Sequence, residues 1–212
     1  MGQAFILLPS TEMTDTNGEP LAPESLKMID YLRTRAAELS AAAIRDRLRV
    51  ATLELENVIA SVDPSEIRLQ PIEGKWTIAG VVDHIAQSSV RAAEELRHLL
   101  AGRRPPLPPV YEALRSGAAD WAPWHELVEG LHDANRSLIE LLESAPDGLP
   151  QDGAPTVRTI MVATRKLAGG TTGPQIWIEE LPWKEYALLH RLHVLDHRTQ
   201  IKKLRAALAA SA

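Results

Sequence analysis

The sequence predicts an all-α protein, a four-helix bundle, and three observations predict it. Four long segments repeat apolar residues at threes and fours. Proline- and glycine-containing stretches separate them. Only one window, between Thr156 and Glu180, turns to a β-prone pattern.

Residues 1–22 mix Ser, Thr, Asn, Gly and Pro without periodicity, which reads as a flexible N-terminal arm ahead of one domain over 23–212. Helical text opens at Glu24. Ala41–Val62 then carries Ile44, Leu48, Ala51, Leu53, Leu55, Val58 and Ile59, recurring at threes and fours. This leaves two arrangements open: one long helix, or a short helix followed by a longer one. Asp63-Pro64-Ser65 stops it. The second main helix spans Thr77–Leu100, with Thr77 as N-cap. GRRPPLPP at 102–109 cannot be helical, because proline lacks the amide donor and restricts its predecessor. The third main helix covers Trp121–Ser144 and the fourth Trp183–Ala209. Between them, Thr156–Val162 and Gln175–Glu179 flank Gly169-Gly170 and Gly173-Pro174, predicting a short β-hairpin insertion.

Composition narrows the function. The 212 residues are 45% hydrophobic and 24% charged, a globular balance. No apolar run approaches the roughly 20 residues of a membrane span, and Phe5-Ile6-Leu7-Leu8 has no basic residues before it, unlike a signal peptide. A cytoplasmic location is the expectation. The formal charge of −5 argues against a nucleic-acid partner. Without a single cysteine, the chain has no disulfide, no thiolate nucleophile and no zinc–thiolate site. Any metal needs nitrogen and oxygen ligands, and any thiol comes from outside.

Seven histidines hold the chemical information. On the last helix His193 and His197 fall within about 40° of each other, with His190 about 20° beyond. Tyr186, Leu204 and Leu208 share this arc, while Lys184, Arg191, Arg198 and Lys202 oppose it. A buried histidine is ordinarily a hydrogen-bonded core residue, and an i, i+4 pair alone is a weak motif. Two imidazoles on a core stripe, however, each carry an acceptor nitrogen that must be satisfied away from water. One metal ion satisfies both, and imidazole suits zinc, nickel, copper and iron. His84 is the candidate third ligand. Periodicity puts it, with Ser88, on the flank of a stripe made by Val81, Ile85, Ala92, Leu96 and Leu99, where it either faces the centre or packs outside it. His190 is the rival ligand. His98, His125 and His132 read as surface or boundary residues, and Glu129, Asp133 and Glu140 as a solvated face.

Trp76-Thr77 followed by His84, together with His193-Val-Leu-Asp-His197-Arg-Thr-Gln200-Ile201, resembles the two signatures of the DinB/YfiT-like metalloenzymes. The likeness spans about Ala41 to Arg205. It implies a bundle with a three-histidine divalent metal site of His84, His193 and His197, holding zinc, nickel or iron. It also implies a small-molecule substrate, thiol-dependent transfer or isomerisation with a low-molecular-weight thiol such as mycothiol or bacillithiol, and a homodimer; an open position on a three-histidine ion fits hydrolysis as well. Two positions depart from the pattern: Gly80, where an acidic or helix-favouring residue is common, and Asp196, where a further histidine often stands. Tyr186 and His190 are the nearest candidates for a general base. The alternative function is a non-catalytic metal-binding or stress-associated bundle protein.

Overall fold

The computed structural model describes residues 13–148, 153–166 and 170–211. They form five helices: α1 (Pro23–Glu38), α2 (Ala41–Ala60), α3 (Ile78–Leu100), α4 (Trp124–Glu143) and α5 (Trp183–Ser211). One antiparallel hairpin, β1 (Val157–Lys166) with β2 (Thr172–Leu181), precedes α5. The chain is thus mostly helical, and the strands fall in the window where the sequence turns β-prone.

Of the two N-terminal arrangements, the short helix followed by a longer one is found. Leu39 is extended, and the Ser40 hydroxyl accepts from the Ala43 amide at 3.1 Å, restarting the helix as α2. Such a cap is worth about 1 kcal/mol. The helix expected from Trp121 begins at Trp124 instead. Trp121 closes a single 3-10 turn (Ala118–Asp120), and Pro123, whose ring fixes φ, stands at the N-cap. At the start of α3 the Thr77 hydroxyl accepts from the Gly80 amide at 3.0 Å. A β-carbon at Gly80 would stand 3.3 Å from that hydroxyl oxygen, a tight contact.

Helix α2 packs against α4 and α5, and α3 against the same two, so four long helices form a closed ring of neighbours. Helix α1 lies on α5 and β1. The inward face of the hairpin alternates as a half-buried strand should, with Gln175, Trp177, Glu179 and Leu181 buried on β2 and Met161 paired to Trp177. Part of the expected arm, residues 1–12, lies outside the described residues. Residues 13–22 make a turn bridged at Thr14 and Pro20, which the buried Gln175 side chain holds through the Ala22 amide and the Pro20 carbonyl.

The apolar core divides in two. One cluster gathers α1, the hairpin and the hairpin-side ends of the ring, including Leu48, Leu96, Leu138 and Leu188. The other gathers the opposite ends, including Leu55, Val81, Ile85, Leu131 and Val194. Burial of these side chains at about 25 cal/mol per Å² supplies the main drive for folding.

Candidate metal centre

Helix α3 is buried nearly all round its first two turns, from Ile78 to Ala86. Its sequence shows a stripe flanked by His84, yet His84 is only 8% exposed. The segment from Gly102 to Pro123 folds back over that flank. Asp83, almost wholly buried, holds it there: its carboxylate accepts from the Ser116 amide and hydroxyl (3.0 and 2.6 Å) and from the Gly117 amide at 3.2 Å. Gly117 adopts φ of +82°, a left-handed conformation that suits glycine. The Leu114 carbonyl then lies 2.8 Å from Nδ1 of His84. A carbonyl only accepts, so Nδ1 carries the proton and Nε2 keeps its lone pair.

Across from α3, α5 presents His193 and His197. Nδ1 of His197 lies 2.7 Å from Oε1 of Gln200, one turn along, which again protonates Nδ1 and leaves Nε2 bare. Ring centroids stand 5.0 Å apart for His84 and His193, 4.8 Å for His84 and His197, and 4.4 Å for His193 and His197. One ring nitrogen from each of the three lies within 4.8 Å of the others. Nε2 of His193 is buried with no hydrogen-bond partner. Three ring nitrogens thus converge, and among the described residues no donor meets Nε2 of His193, a costly arrangement unless something else does.

Electrostatics agree. Burial lowers the pKa of His84 below the ordinary 6.5, outweighing the Leu114 contact. Burial, reinforced by His197 and by the other rings, holds His193 well below it. Burial and the neighbouring His84 take His197 down to about 4. All three rings are neutral at physiological pH, the form a metal ligand requires. The donor set therefore fits a divalent ion: three neutral imidazole nitrogens, two of them oriented by an acceptor on the opposite ring nitrogen.

Trp76 forms one wall, edge-on to His84 at 4.9 Å and stacked on His197 at 6.1 Å, with the Arg115 guanidinium 5.4 Å from its ring centroid. A cavity of about 420 Å³ opens beside the histidines, between α3, α5, β1 and the folded-back segment. Met28, Val110, Ile160, Leu189 and Leu192 make it largely apolar; Glu112 and Asp196 are its acidic members, and no lysine or arginine lines it among the described residues.

More than half of the chain, residues 47–164, matches the family model of the DinB superfamily. The chain belongs to the DinB superfamily. His84 lies inside the matched segment of this DinB chain, and His193 and His197 lie beyond it. Among solved structures, a mycothiol-dependent maleylpyruvate isomerase is similar in fold, with a TM-score of 0.56 and 16% identity over 77% of this chain. This chain spans 61% of that protein's own length. YfiT from Bacillus subtilis, described as a probable metal-dependent hydrolase with an unusual four-helix bundle topology, gives a TM-score of 0.52 and 14% identity over 80% of this chain and 87% of YfiT. No curated protein matches the DinB chain in sequence.

The other sequence candidates divide. His190 lines the cavity, but its Nε2 meets the Ser89 hydroxyl at 3.2 Å and it is not one of the three converging residues. The Tyr186 hydroxyl donates to the buried Glu95 carboxylate, and burial with that carboxylate pushes its pKa up, so it is poorly suited to accept a proton. His125 and His132 are exposed, His98 is half-buried, and none of them joins the group. Asp83 and Leu114 escaped sequence reasoning, since nothing in an Asp-His dipeptide announces a loop folded over it. Gln200 was legible as a motif residue without its role as the partner of His197.

Proposed function

We propose that this DinB protein is a divalent-metal-dependent enzyme acting on small molecules, its ring of helices a four-helix bundle of DinB/YfiT type. His84, His193 and His197 are the ligands, each through Nε2, and zinc, nickel or iron is the ion. The observation that carries this reading is the orphaned, buried Nε2 of His193 between two imidazoles whose Nδ1 protons are tied back. With three protein ligands a coordination position stays open, and an ion held so would supply Lewis acidity toward a water, a thiol or a carbonyl.

The chain's own residues do the rest. Trp76 and the apolar walls exclude water from one side of the cluster. The folded-back segment, clamped by Asp83, keeps His84 facing α5. Among the described residues no lysine or arginine lines the cavity, while Glu112 and Asp196 do, which favours neutral, partly apolar substrates over anionic ones. Thiol-dependent transfer and hydrolysis both fit, the first with an external low-molecular-weight thiol, because the chain has no cysteine of its own.

Metal analysis of purified protein tests the first step, with one equivalent per chain expected. Screening the zinc- or nickel-loaded protein against neutral esters and thiol–electrophile pairs tests the second. Stoichiometric metal with no turnover would favour a non-catalytic metal-binding role. We further propose a homodimer through helix faces, which light scattering at tens of micromolar checks.

A further inference from the structure

A polar layer crosses the ring of helices, with one side chain from each: Glu56 from α2, Asn135 from α4, Ser89 from α3 and His190 from α5. Asn135, Ser89 and His190 are at most 5% exposed, and Glu56 is half-buried. The contacts run in series. Nδ2 of Asn135 donates to Oε1 of Glu56 at 3.2 Å, the Ser89 hydroxyl donates to Oδ1 of Asn135 at 3.0 Å, and the Ser89 oxygen lies 3.2 Å from Nε2 of His190.

The direction of every proton in this series follows from its outer end. A carboxylate only accepts, so Glu56 obliges Asn135 to present its amide nitrogen and keep its carbonyl for Ser89. That carbonyl takes the single hydroxyl proton of Ser89. The Ser89 oxygen is left as an acceptor, so Nε2 of His190 must be the nitrogen that carries hydrogen. His190 is therefore held in the opposite tautomer to His84 and His197. Its Nδ1 keeps the lone pair and has no hydrogen-bond partner among the described residues, on a ring that lines the cavity beside the cluster.

We propose that Glu56, Asn135 and Ser89 act as positioning residues that set the tautomer of His190, making its Nδ1 a hydrogen-bond acceptor toward the cavity for the O–H or S–H of a neutral ligand. The ligand half rests on the metal reading above; the tautomer half does not. Imidazole nitrogen NMR on the metal-free protein reads the tautomer directly. The expected result is protonated Nε2 on His190, with Ser89→Ala losing that single tautomer while the other histidine signals stay in place. A protonated Nδ1 on His190, or an unchanged tautomer in a folded Ser89→Ala variant, would overturn the proposal. A layer serving only to fix helix register would tolerate either result. For the ligand, 2-mercaptoethanol is titrated into zinc-loaded protein. The His190 Nδ1 resonance should shift on binding, and His190→Leu should weaken binding roughly 3- to 10-fold, the worth of one hydrogen bond. Saturation without a shift at Nδ1, or no binding at all, refutes the ligand half. If zinc does not bind, the metal reading fails while the tautomer measurement still stands.

Discussion

Among the buried polar groups that helices α3 and α5 bring together, two are opposites. At the hairpin end, the Tyr186 hydroxyl donates to one oxygen of Glu95 and Nε of Arg91 donates to the other at 2.6 Å, while a further Arg91 nitrogen reaches the Pro108 carbonyl at 2.7 Å. Donors and acceptors match. At the other end, His84, His193 and His197 bring three ring nitrogens together, and Nε2 of His193 is buried without a partner among the described residues. A matched group has nothing left to bind and ties α3, α5 and the folded-back segment together. The unmatched one is held open by partners on its outer side. Burial is the same physical setting in both; hydrogen-bond arithmetic separates a clamp from a site.

That contrast can be broken, and the largest expected effect comes first. His193→Ala or His197→Ala should abolish stoichiometric zinc binding in equilibrium dialysis, because two nitrogens on separate helices make a poor tetrahedral site. Wild-type stoichiometry in a His84→Ala, His197→Ala double variant would refute the ligand assignment. Glu95→Ala should do the reverse. It strands the Tyr186 hydroxyl and the Arg91 charge and should cost about 3 kcal/mol in urea unfolding, with zinc stoichiometry kept in the folded protein. Gln200→Ala removes the acceptor that fixes His197 and should weaken zinc affinity roughly 10- to 100-fold in a chelator competition.

Acidity sharpens the comparison further. In the folded, metal-free protein burial takes His190 and His197 to about 4, against an ordinary 6.5. An unfolded chain therefore binds protons that the folded one refuses between those values. Stability of the apoprotein should be level above about pH 6.5 and fall as pH drops toward 4, measured as urea midpoints. The smallest effect belongs outside both groups: His132→Ala, on an exposed face of α4, should leave zinc stoichiometry intact and stability within about 0.5 kcal/mol.

Much of this was legible in the residue order. The i, i+4 spacing of His193 and His197 on a stripe shared with Tyr186 and Leu204 already put both rings on one face, since a helix repeats every 3.6 residues whatever surrounds it. His84 was harder. Its helical angle leaves it on a flank, and only the segment from Gly102 to Pro123, drawn over it by Asp83, turns that flank inward. The expected start at Trp121 failed for a related reason. Trp121 continues the text of the helix, but the turn at Ala118–Asp120 and the fixed φ of Pro123 delay it to Trp124.

The sequence by itself determined the helical class, the breaks, the hairpin window, the absence of any thiol and the pairing of two imidazoles on α5, because these depend on composition and on periodicities of a few residues. Tertiary structure alone decided which lone pairs are free. Nδ1 of His84 meets a carbonyl thirty residues away, and the tautomer of His190 follows from contacts that begin at Glu56 on α2. Hydrogen-bond polarity passes through space between helices and leaves no period in the chain, so it had to be seen folded.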